Sequence, residues 1–97
     1  VSYEFHTAAE FEYLEAIAFY EFRRPGIGLA FLEEFEGAVE IVTRTPGLYP
    51  IEMKPDIRRV AMKRFPFSII YRRATACVQV LAVAHQSRRP RFWLDRL

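Results

Sequence analysis

The sequence predicts an α+β fold: an N-terminal strand, an antiparallel α-helical hairpin, and a C-terminal three-stranded antiparallel meander that carries the hairpin on one face. Three observations predict it. Apolar residues recur at helical spacing through residues 8–44, apolar and polar residues alternate or form short apolar runs through residues 57–85, and the proline-rich stretch 45–56 separates the two regimes. The 97 residues make one domain, 1–97, with one core to close. A hydrophobic content of 52% and an aromatic content of 15% exclude a disordered chain.

Each element has its own warrant. Ser2 to His6 alternates as a short strand. Thr7-Ala8-Ala9-Glu10 has capping-box spacing, in which the threonine hydroxyl takes an orphan amide and the glutamate reaches back. A first helix is expected from Ala8 to about Arg24, with Phe11, Leu14, Ala18 and Phe22 as its buried stripe and Tyr13, Ile17 and Tyr20 as a second, rotated one. Pro25-Gly26-Ile27-Gly28 ends it. A second helix is expected over Leu29–Arg44, with Ile27, Phe31, Phe35, Ala38 and Val42 along the inner side and Leu32 and Val39 widening it. Glu33, Glu36 and Glu40 lie away from that side and read as a solvated face, not as paired catalytic carboxylates.

Thr45 to Asp56 contains three prolines and a glycine and reads as a loop. In the next strand Val60 and Met62 share one face, and Arg59, Ala61 and Lys63 the other. Phe67, Ile69 and Tyr71 then alternate with Ser68, Ile70 and Arg72. The run from Cys77 to Ala84 is apolar except for Gln79, as suits a central strand. With the helices on one face, the opposite face, bearing Arg59, Lys63, Ser68 and Arg72, is the expected working surface. Arg91 to Leu97 suits a last helical turn.

Charge divides the chain. Residues 1–50 hold three arginines against nine glutamates, a balance of −6; residues 51–97 hold eleven lysines and arginines against three acids, a balance of +8. A basic C-terminal half suits nucleic acid or an acidic protein as partner; the two halves can also neutralise one another within the fold. No apolar run is long enough for a membrane span, and nothing at the N-terminus has the layout of a signal peptide, so the expected location is the cytoplasm. Cys77 is the single cysteine, which excludes an internal disulfide. No zinc spacing, glycine-rich phosphate loop or hydrolase triad occurs, so no cofactor and no metal are expected.

What remains is a histidine beside arginines. Cleaving RNA through its own 2′-hydroxyl needs no metal. It needs a base, an acid, and cations for the phosphorane charge. His85 is the candidate catalytic residue, because imidazole titrates near neutrality. Arg59, Lys63, Arg88 and Arg89 are candidates for holding a target or a phosphate, and Trp93 for stacking on a base. The same residues also suit plainer roles: a strand-end histidine bonded to backbone, solvated arginines, a tryptophan packed as a lid. Alternation and the chain's exit from the last strand predict that Arg59, His85, Arg88 and Arg89 meet on or beside the uncovered sheet face.

The order of elements, together with Arg59-Val60-Ala61-Met62, Phe65-Pro66-Phe67-Ser68-Ile69-Ile70-Tyr71-Arg72, and Val80-Leu81-Ala82-Val83-Ala84-His85 followed by Arg88-Arg89-Pro90, resembles the RelE/ParE family of bacterial toxins, in the branch often labelled plasmid stabilisation proteins. The resemblance implies a toxin of a type II toxin–antitoxin module that inhibits growth and is neutralised by a cognate antitoxin. The target it implies is either DNA gyrase, for ParE-like members, or ribosome-bound mRNA, for RelE-like endoribonucleases, which would here use His85 with Arg59 and Arg88. Two departures favour the ParE-like mode: Ser68 and Ala61 stand where RelE-like nucleases carry cations, and losing two such charges costs a phosphoryl transition state several kcal/mol. A non-toxic binding module retaining only the fold is a third reading. Tyr13, Ile17 and Tyr20 are candidate antitoxin contacts, because aromatic side chains anchor interfaces; packing between the two helices would equally occupy them.

Overall fold

A computed structural model describes residues 2–97. The elements follow in the order β1 (Tyr3–Phe5), α1 (Thr7–Arg23), α2 (Ile27–Arg44), β2 (Ile51–Met53), β3 (Ile57–Ala61), β4 (Phe67–Arg73), β5 (Val78–His85) and a 3₁₀ turn (Leu94–Arg96). The helical hairpin and the antiparallel β3–β4–β5 meander stand where the sequence puts them. The sheet, however, has five strands, in the order β1-β5-β4-β3-β2. β1 returns to pair in parallel with β5, Tyr3 opposite Val78 and Phe5 opposite Val80. The expected loop over Thr45–Asp56 contains β2, an edge strand antiparallel to β3. A three-residue strand between prolines has no periodicity to betray it.

The helix ends rest on side chains other than those the spacing suggests. α1 begins at Thr7, and its cap is His6, whose Nδ1 accepts a hydrogen bond from the Ala8 amide at 3.1 Å. The α2 N-terminus has no cap of its own; Glu21 of α1 reaches across and accepts from the Gly26 and Gly28 amides at 3.0 Å each. Gly26 takes a left-handed φ of 97°, a conformation cheap only for glycine. A Cβ on the buried Gly28 would lie 2.8 Å from the Ile17 carbonyl oxygen, so the two helices cross there at backbone contact.

The α2 stripe packs as expected: Phe31, Phe35, Val39 and Val42 are buried. The α1 assignment is inverted. Phe11, Leu14 and Phe22 are 66%, 55% and 92% exposed, whereas Ala9, Tyr13 and Ala16 form the inward face and Ile17 and Tyr20 pack against the core. α1 has apolar residues around its whole circumference, and the face that wins is the one with two alanines, which let the helix lie close to the sheet. Tyr13 meets Phe35 at 4.5 Å and Tyr20 meets Phe65 at 4.9 Å between ring centroids. Such aromatic pairs add to plain area burial.

The sheet carries a second, smaller core on its other face: Ile57, Ile70, Leu81, Ala82 and Ala84 lie under Trp93, which is 1% exposed. The face expected to be open is thus partly roofed by the C-terminal segment. That segment is also tied down at its end. Arg96 donates to both carboxylate oxygens of Glu12, at 2.9 and 2.7 Å, and to the Leu81 carbonyl at 2.9 Å, while Glu12 accepts from the Val83 amide at 3.0 Å. β1 stops opposite Val80, and beyond it this ion pair satisfies the bare edge of β5 as a further strand would.

Candidate functional site

One register shift decides where the candidate residues lie. Ile70 pairs with Ala82, but the next residue, Tyr71, pairs with Val80, so Leu81 is an extra residue in β5. A bulge of this kind reverses the alternation beyond it. Val78 and Val80 face the helices, and so do Val83 and His85, where an unbroken strand would have presented Ala82 and Ala84. His85 therefore pairs with Phe67 on the helix-covered side, its ring edge-on to the phenyl at 5.1 Å. Arg59 pairs with Ile70 on the other side of the sheet. The expected cluster of Arg59, His85, Arg88 and Arg89 on one open face does not form.

Each candidate has its own surroundings. The Arg59 guanidinium pairs with Glu52 of β2 at 2.9 Å. Lys63 is exposed in the β3–β4 link, where its amide and that of Arg64 both donate to Glu34. Ser68 is buried, and Arg72 donates to Gln79 at 3.0 Å. Trp93 lies under the sheet and has no free face for a base. Tyr13 is core, and Ile17 and Tyr20 are packed against it; burial raises the hydroxyl pKa of both tyrosines. Arg89 stands exposed on the turn after β5.

His85 and Arg88 do come together. The Ser87 amide donates to His85 Nδ1 at 3.0 Å, with the Ser87 hydroxyl 2.8 Å from the same nitrogen. That fixes Nδ1 as an acceptor, so in the neutral ring the proton sits on Nε2. The Arg88 guanidinium stacks 3.8 Å above the Phe92 ring and lies 3.9 Å from the Glu12 carboxylate. Both residues line a cleft of about 410 Å³ between α1 and the ends of β4 and β5, floored by Ala16, Phe19, Tyr20, Phe67 and Val83. Glu12 and Glu15 complete the rim. The sequence reading missed Phe19, Glu12 and Arg96. The only signal for them was a glutamate on an otherwise apolar helix turn, which has no meaning until the strand edge it serves is known. Among the described residues no group of His, Cys, Asp or Glu could hold a metal ion, and no helix is long and apolar enough to cross a membrane.

The order of elements and the five-stranded sheet define a small α+β domain with a cleft at one end. Residues 3–90 match the family described as the ParE toxin of type II toxin–antitoxin system, parDE, and the chain belongs to that family. A solved structure described as the chromosomal ParDE toxin–antitoxin system from P. aeruginosa has the same fold, with a TM-score of 0.74 at 17% identity over 88% of this chain and 95% of that one. A comparison with curated proteins gives no match.

Proposed function

We propose that the chain is the toxin of a type II toxin–antitoxin pair that arrests growth by binding its target, with DNA gyrase as that target, and that it carries out no chemistry of its own. The observation that carries this reading is the separation of the would-be catalytic groups. By register Arg59 and His85 are three positions apart along β4, about 10 Å at strand rise, and on opposite faces. An RNA-cleaving site needs its proton carriers and cations around one phosphate. Arg59 is already paired with Glu52, and the unprotonated nitrogen of His85, the one able to accept a proton, is turned to Ser87.

Target contact falls to the exposed basic turn of Arg88, Arg89 and Arg91. Docking surfaces depend on the sign of charge rather than on a proton. Expression in growing cells tests the reading. His85→Gln is expected to stay toxic, and the double reversal Arg89→Glu with Arg91→Glu to abolish toxicity. Purified toxin is expected to inhibit gyrase supercoiling and to leave translation in a cell-free extract intact. Loss of toxicity in His85→Gln, with translation stopping first, would establish the endoribonuclease instead.

A further inference from the structure

We infer that the outward face of α1 is an interface between two copies of this chain, which meet antiparallel about a two-fold axis at Ala18. Phe11, Leu14, Ala18 and Phe22 follow one another at spacings of three and four residues, so they form one stripe, on the side of α1 opposite its buried residues. All four are exposed, and Phe11, Leu14 and Phe22 leave more than half of their surface in water. α2 shows how this protein finishes a helix face that meets only solvent: along the middle of that helix the exposed positions are Glu33, Glu36, Gly37 and Glu40. The stripe on α1 is apolar instead. A helix that is apolar around its whole circumference has a second surface to bury.

Symmetry, charge and area identify the occupant as a second copy. Ala18, the smallest residue of the stripe, stands midway between Leu14 and Phe22. A half-turn about it lays Leu14 of one copy against Phe22 of the other and lets the helices approach closely at the alanines. The charges of α1 are divided along its length: Glu10 and Glu15 are exposed in its first part, Arg23 and Arg24 at its end. Antiparallel pairing sets Arg23 beside the other copy's Glu15 and Arg24 beside its Glu10, whereas parallel pairing sets like charges together. Glu21, the remaining acid beside the stripe, is engaged by the Gly26 and Gly28 amides. At about 200 Å² for an aromatic side chain and somewhat less for leucine, the stripe presents about 400 Å² of apolar surface per copy. Two copies together, with the flanking charged side chains, reach the lower end of what a specific interface buries, about 1,000–1,200 Å². The dimer is therefore weak and dissociates on dilution.

The test is sedimentation velocity of the full chain from low micromolar to near-millimolar concentration, where a reversible monomer–dimer equilibrium is expected. Phe22→Ser is expected to weaken the dimer about tenfold or more, the effect of losing an aromatic anchor, with an unchanged circular dichroism spectrum. Ile41→Ser, at an exposed apolar position on α2, is expected to leave it unchanged. Charge reversal separates the two-fold arrangement from general stickiness. Arg23→Glu with Arg24→Glu, and separately Glu10→Lys with Glu15→Lys, are each expected to lose self-association, and the two variants when mixed to associate with one another. Ala18→Cys in a Cys77→Ser background is expected to oxidise to a disulfide-linked dimer, and Gly37→Cys in the same background to stay monomeric. A chain that is monomeric at every concentration, a dimer indifferent to Phe22→Ser, or folded charge-reversed variants that fail to pair with each other would overturn the assignment. A monomeric free chain whose α1 stripe gains protection from hydrogen exchange only in the antitoxin complex would give this face to the antitoxin and overturn it equally.

Discussion

Removing the Glu12 carboxylate is expected to destabilise the protein more than any other single change on its surface. Glu12 and Arg96 form a two-point ion pair with both side chains 12% exposed. Glu12→Ala would strip the Val83 amide of its acceptor, about 1–3 kcal/mol for a buried donor, and leave the Arg96 guanidinium with the Leu81 carbonyl alone. Breaking one side of a buried pair costs about 3–5 kcal/mol; the residual water access puts this pair at the lower end, about 3 kcal/mol. For a domain of this size that is a fall in Tm of about 12–24 °C. Arg96→Met should cost less, because Glu12 keeps the Val83 amide and has Arg88 at 3.9 Å. Urea unfolding of both single variants and the double variant gives the coupling energy directly. A Glu12→Ala variant within about 1 kcal/mol of wild type, or a coupling near zero, would show that the β5 edge does not depend on this pair.

Burial and backbone geometry lead to three more expected outcomes. Phe22→Ser, at a position 92% exposed, should change stability by less than about 0.5 kcal/mol, whereas Phe31→Ala, at a fully buried position, should cost about 3–5 kcal/mol; similar costs for both in chemical denaturation would refute the inward face assigned to α1. Gly28→Ala drives a methyl into the Ile17 carbonyl and the Glu21 side chain and should cost about 1–3 kcal/mol, a penalty that Gly37→Ala, with open space around it, should not share. The Tyr3 hydroxyl donates to Glu36 at 3.1 Å, and burial, then the Glu36 charge, push its pKa from 10.0 up to about 12. Its folded form holds the proton longer than its unfolded form, so its contribution is complete below about pH 10 and is lost as pH rises through about 12. Tyr3→Phe should flatten that alkaline limb, and an unchanged slope between pH 10 and 12 would reject the link.

Most of the secondary structure was legible in the residues alone. The α2 stripe of Phe31, Phe35 and Val42, the alternation of Phe67, Ile69 and Tyr71, and the Pro25–Gly28 link are all local, and local spacing specifies them because a helix or strand buries whatever its period aligns. Resemblance of the C-terminal strands likewise pointed to the toxin family. Packing settled the rest. Three facts were fixed only by partners distant in sequence: β1 lies beside β5, Trp93 roofs the second sheet face, and Ala9, Tyr13 and Ala16 prevail over Phe11, Leu14 and Phe22. The position of His85 is the sharpest case. A strand apolar at almost every position gives no sign of where its phase slips, so the Leu81 bulge was invisible in the residues themselves. One extra residue there turned His85 from the face of Arg59 to the cleft beside Phe19. Faces and neighbours depend on which surfaces can be buried against one another at the same time, and that is a property of the assembled chain.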